Sequence, residues 1–83
     1  MNLNILTPEA NIFSGEAESV QLNGIDGKFE ILNNHAPLIA SLKDGIVRIK
    51  TNSGKQEFNL KSGIVEVLKN NVSVLTEGII VEK

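Results

Sequence analysis

A chain of 83 residues folds as one domain, and at this size it hides only roughly 60 to 65% of its unfolded surface, which leaves little depth for a catalytic cleft. Hydrophobic residues make up 41% of it, yet only Phe13, Phe29 and Phe58 are aromatic, so the core is built from Val, Ile and Leu, side chains that suit pleated strands. Ten acidic residues against eight basic, scattered singly from Glu9 to Lys83, exclude the basic face that nucleic acid demands, and the lack of cysteine removes disulfides, thiolate chemistry and Cys-type zinc sites.

The chain opens on the alternation Asn2-Leu3-Asn4-Ile5, which has nothing of a signal peptide. From there, turn signals recur at short intervals: Thr7-Pro8, Ser14-Gly15, Asn23-Gly24 with Asp26-Gly27, Asn33-Asn34, Asp44-Gly45, Asn52-Ser53-Gly54, Ser62-Gly63, Asn70-Asn71 and Glu77-Gly78. Between them lie runs of period two. Leu3 and Ile5, Val20 and Leu22, Phe29 and Ile31, Val47 and Ile49, Phe58 and Leu60, Val65 and Val67, and Val72 and Val74 are expected to face inward. The pattern predicts an all-β fold, a flattened antiparallel β-sandwich or barrel filling residues 1–83 as a single domain. Three aliphatic residues break the alternation. Ile46, Ile64 and Leu68 are out of phase with their neighbours and are expected on the surface as a docking face. Asn70-Asn71 reads as a tight turn with two positive φ angles and nothing more, and the sequon Asn71-Val72-Ser73 as a chance match. The longest aliphatic run, Ile79-Ile80-Val81, is too short to cross a bilayer, so the chain is read as soluble.

Polar residues of several kinds gather only between Gly24 and Leu38, a stretch that holds the sole histidine and one of the two prolines. Gly24-Ile-Asp-Gly27-Lys28 is glycine-rich, but Phe29 follows the lysine where a phosphate-binding loop needs Ser or Thr and a helix. It also lacks the helices and basic surroundings of an RNA clamp, and reads as a hairpin connection. His35 is a type of residue used as general base and metal ligand, with Asp26, Glu30 and Asp44 as conceivable neighbours. One histidine without a nucleophile motif points instead to a structural or partner-contacting role, and no metal or cofactor is expected. Pro37, with Ala36 pushed toward an extended conformation before it, stiffens the exit from this loop.

Gly27 followed by Ile31-Leu32-Asn33-Asn34-His35-Ala36-Pro37-Leu38, then Gly45-Ile46-Val47-Arg48-Ile49, Gly63-Ile64-Val65-Glu66-Val67 and Asn71-Val72-Ser73-Val74-Leu75, with Phe13-Ser14-Gly15 near the start, form an ordered set. Together they resemble the epsilon subunit of F-type ATP synthases over nearly the whole chain. The resemblance implies a flattened sandwich of about ten strands at the foot of a rotating central stalk, joining the gamma subunit to the membrane-embedded c-ring. It implies a ring-facing group at Lys28, Glu30, His35 and Ala36, and a gamma-facing group at Leu38, Ile39, Ala40 and Ile46. It also implies a non-catalytic subunit with no direct nucleotide binding, peripheral to the cytoplasmic side of a bacterial inner membrane.

Three departures accompany the resemblance. Lys83 ends the chain just after the last strand, where the family has a helical hairpin, so neither inhibition of ATP hydrolysis nor ATP binding by such a hairpin is expected. Met1 and the closing Glu82-Lys83 fit an intact gene product. Glu30 stands where glycine is common and Asn33 where proline is common, which bears on the conformation of the ring-facing loop. The competing reading from another class is a free-standing β-sandwich that takes a peptide or small ligand through the same loop and an exposed sheet edge.

Overall fold

The computed structural model describes residues 1–81, so the closing Glu82-Lys83 lies outside the described residues. It contains nine strands and no helix among them: β1 (Asn2–Leu6), β2 (Asn11–Glu16), β3 (Ser19–Gly24), β4 (Gly27–Leu32), β5 (Leu38–Leu42), β6 (Gly45–Thr51), β7 (Gly54–Leu60), β8 (Gly63–Leu68) and β9 (Asn71–Thr76). They form one sheet in the order β2-β1-β9-β8-β5-β3-β6-β7, with β4 on the far edge of β3. A single bridge between Leu60 and Ile79 adds the start of a further pairing along β7.

The expected alternation is what folds this sheet over on itself. Leu3, Ile5, Val20, Leu22, Ile31, Val47, Ile49, Leu60, Val65, Val67, Val72 and Val74 are all buried in one cluster, with Phe29 and Phe58 partly buried against it. Strands of both arms, β4-β3-β6-β7 and β5-β8-β9-β1-β2, feed that cluster, so their outer faces look away from each other. The two ends of the sheet meet where the rings of Phe13 on β2 and Phe58 on β7 pack edge to face, 6.4 Å between centroids. Met1 and Ala17 complete the core from positions that the period-two pattern does not mark, and Leu42 completes it from the inward face of β5.

The arms part at β3. One edge of β3 pairs with β4 along its whole length, whereas the other edge pairs with β6 from Ser19 to Gln21 and with β5 only at Gly24. Asn23 lies at the fork. Its buried side chain donates through Nδ2 to the carbonyl of Ile46 at 2.8 Å, while its own carbonyl accepts from the amide of Lys43 at 2.9 Å. Asn23 and Gly24 are therefore strand residues, and the turn itself is Ile25-Asp26, closed by Gly27 at φ +133°.

Three further details differ from the sequence reading. Ser14-Gly15, read as a turn, lies within β2 opposite Asn4 and Leu3, and the chain turns at Ala17-Glu18 instead. The sheet is antiparallel except for one ladder, in which β1 runs parallel to β9 from Asn2 opposite Asn71 to Leu6 opposite Leu75. No hairpin links these distant segments, so no short turn dictates their direction. The two positive φ angles of the β8–β9 hairpin fall on Lys69 (50°) and Asn70 (62°), one residue earlier than expected, because Asn71 pairs with Leu68 and belongs to β9.

Gly63 sits where β8 is squeezed between Leu42 on β5 and Thr76 on β9, and a Cβ there would stand 1.9 Å from the carbonyl oxygen of Leu75. Gly63→Ala is expected to destabilise the fold by about 1–3 kcal/mol, read as a lower urea midpoint. Asn23→Asp keeps the volume but puts an acceptor against the Ile46 carbonyl. It is expected to cost about 1–3 kcal/mol near neutral pH, with an unchanged denaturant slope showing that the loss lies in the native state.

Candidate functional site

The loop between β4 and β5, residues 33–37, is held by bonds to three other segments. The amide of His35 donates to the carbonyl of Leu32 at 3.2 Å, and the amide of Asn34 donates to Oδ1 of Asn70 at 2.7 Å. The side-chain oxygen of Asn33 accepts from the α-amino group of Met1. Asn34 takes φ 62°, a left-handed conformation that asparagine tolerates better than most residues. Nδ1 of His35 lies 2.7 Å from the carbonyl of Ala36, and since a carbonyl only accepts, Nδ1 carries a proton and donates it there. His35 is half-buried, and Ala36 and Pro37 are exposed.

The carboxylates considered as partners for His35 are elsewhere. Asp26 lies in the turn at the far end of β4. Asp44 is beyond the far end of β5, where its Oδ1 accepts from the amide of Ser62 at 2.8 Å. Glu30 points outward from β4 and accepts from Nε2 of Gln21 at 3.4 Å. No group of three His, Asp or Glu side chains placed to hold a metal exists among the described residues.

Lys28 and Glu30 share the outer face of β4 with a polar row that crosses four strands. In this row Glu30 stands opposite Gln21, Gln21 opposite Arg48 and Arg48 opposite Glu57. Nε of Arg48 donates to Oε2 of Glu57 at 2.7 Å, an exposed pair that fixes side-chain direction more than it stabilises. His35 and Ala36 lie past the end of β4, and Lys28 precedes Leu32 by about 13 Å of strand. The four residues expected to face the ring are thus spread along a strand and the loop that follows it.

The four residues expected to face gamma divide by the same alternation. Leu38 and Ala40 turn inward and pack against the core, whereas Ile39 points out and is 69% exposed. Ile46 is 43% exposed on the outer face of the other arm, where it lines a depression with Lys28, Phe29, Glu30 and Arg48. Leu38, Ile39 and Ala40 border a second depression, between β5 and the β3–β4 hairpin, and Phe29 lines both. The two halves of the group therefore flank one hairpin.

Ile64 and Leu68 are exposed as expected, and on the same outer face as Ile39. Leu75 joins them, standing directly opposite Ile64 and followed in the next strand by Leu6. Its signal was present, since Leu75 is out of phase with Val72 and Val74 just as Ile64 is with Val65 and Val67. Asn70 gave no such signal. Its hold on the loop is a contact across 36 residues that no local pattern announces.

Residues 1–82 match the family model for the β-sandwich domain of the ATP synthase delta/epsilon chain. The ATP synthase epsilon chain of Chlorobium limicola is 42% identical over 78 residues, 93% of this chain and 89% of that one. The epsilon chain of Leptospira borgpetersenii is 36% identical over 77 residues, and there the match takes in 61% of the relative. Among solved structures, a chain of the Euglena gracilis mitochondrial ATP synthase (OSCP/F1/c-ring) superposes with a TM-score of 0.86 at 18% identity, covering 94% of this chain and 51% of that chain. A chain of the Tetrahymena thermophila mitochondrial ATP synthase central stalk/c-ring gives 0.82 at 14% identity, covering 95% and 64%. At those identities the structures share the fold, and the sequence matches carry the kinship: the chain belongs to the ATP synthase delta/epsilon chain family, as its β-sandwich domain.

Proposed function

We propose that this chain is a rotor subunit of the central stalk of an F-type ATP synthase, joining the gamma subunit to the c-ring so that ion-driven rotation is coupled to ATP synthesis. The observation that carries the reading is the 42% identity to the Chlorobium limicola epsilon chain across 89% of that relative. In this role the domain is non-catalytic and takes no nucleotide, a reading supported by the isolation of His35 from every carboxylate named above and by the strand that follows Lys28. It sits peripherally, on the cytoplasmic side of a bacterial inner membrane.

The geometry suits a spacer between two bodies. Lys28, Glu30, His35 and Ala36 supply polar contacts that set orientation against the ring. Leu38, Ile39, Ala40 and Ile46 supply apolar area to gamma, which in this reading straddles the β3–β4 hairpin and reaches the depressions on both sides of it. Ile46 lines the same depression as Lys28 and Glu30, so the boundary between the two partners runs through that depression.

Purified chain mixed with gamma is expected to form a stoichiometric complex. Ile39→Glu and Ile46→Glu are each expected to weaken it about tenfold or more, with the fold intact by circular dichroism. An Ile46→Glu variant that binds gamma as the unaltered chain does would assign that face to the ring alone. No association at all by the unaltered chain would overturn the reading in favour of a free-standing binding module.

A further inference from the structure

We infer that Asn70 is a positioning residue for the ring-facing loop, an inference that rests on the function proposed above. The loop has two stiff points of its own: Pro37 at its exit and the 2.7 Å contact between His35 Nδ1 and the Ala36 carbonyl. Its entry is different. Asn33 and Asn34 lead out of β4 with no ring to restrict them, and Asn34 sits at φ 62°. Two bonds tie this half to the body of the domain from the side: the Met1 amino group holds the Asn33 side chain, and the bond from the Asn34 amide to Oδ1 of Asn70, at 2.7 Å, is the one that holds the loop backbone.

Asn70 is suited to serve as a fixed post. Together with Lys69 it forms the two-residue turn of the β8–β9 hairpin, and its carbonyl accepts from the amide of Asn2 at 3.0 Å. Three strands, β1, β8 and β9, therefore fix its backbone, while its side chain reaches across to the loop. The Asn34 amide is exposed, so water replaces a lost partner at little energetic loss. The value of the bond is geometric. It narrows the conformations open to Asn34, and so the directions in which His35 and Ala36 are presented, before any partner arrives.

The test uses the whole chain and two substitutions. Asn70→Gly keeps the left-handed turn and the carbonyl that serves Asn2 but removes the side-chain acceptor. Asn70→Asp retains an acceptor at the same place. With detergent-solubilised c-ring as the probe, Asn70→Gly is expected to raise the dissociation constant two- to fivefold, the upper figure equivalent to ~1 kcal/mol, because a smaller fraction of loops is competent to bind. Binding to gamma should be unchanged, Asn34 amide exchange in the free protein should quicken, and Asn70→Asp should restore both loop readouts. Equal ring affinity for Asn70→Gly and the unaltered chain would overturn the inference and leave the function standing. So would a matching loss of gamma binding, which marks general loosening of the domain. Failure of the unaltered chain to bind the ring would remove the rotor reading itself, and the inference with it.

Discussion

One edge of β3 must serve two strands, and the rest of the domain depends on how that is done. A strand edge carries a fixed row of donors and acceptors, and where β5 and β6 diverge neither ladder can use all of it. Asn23 fills the gap with a side-chain amide in place of a backbone one, donating to Ile46 while its own carbonyl takes Lys43. A polar residue inside a Val, Ile and Leu core is tolerable only when it is satisfied in this way. With the fork in place the sheet closes over one core and offers two outer faces of different chemistry: a charged one over β4, β3, β6 and β7, and a more apolar one over β5, β8 and β9.

Much of this was legible in the sequence because strand burial has a period of two and the core residues obey it from Leu3 to Val74. The same rule revealed Ile46 and Ile64 as surface residues, since a single slip of phase is visible locally. It did not reveal that they lie on opposite sides of the molecule, because the side to which a face belongs depends on which strands pair, and pairing is not local. The parallel ladder between β1 and β9 was hidden for the same reason. Turns were placed to within a residue except for Ser14-Gly15, which is strand because its backbone pairs with Asn4 and Leu3 of β1. Asn70 and Asn71 are chemically alike, and only the register against Leu68 decides which of them bends the chain.

The candidate site divides in a similar way. The residue types at Lys28, Glu30, His35 and Ala36 show a polar, exposed stretch, and the structure has them so, apart from the half-burial of His35. What holds the loop comes from residues far along the chain, the Asn70 side chain and the Met1 amino group. A surface that must present the same shape at every encounter gains from such anchors, because ordering is completed during folding and not at the moment of contact.

The parallel pairing of the first and ninth strands also carries a consequence for biosynthesis. β1 and β2 leave the ribosome early as a hairpin, but the inner edge of β1 finds its partner only once residues 71–76 have emerged. Until then that edge, with Leu3 and Ile5 beside it, is open to any other strand in the cell, so the domain cannot mature segment by segment and must close in a late, concerted step.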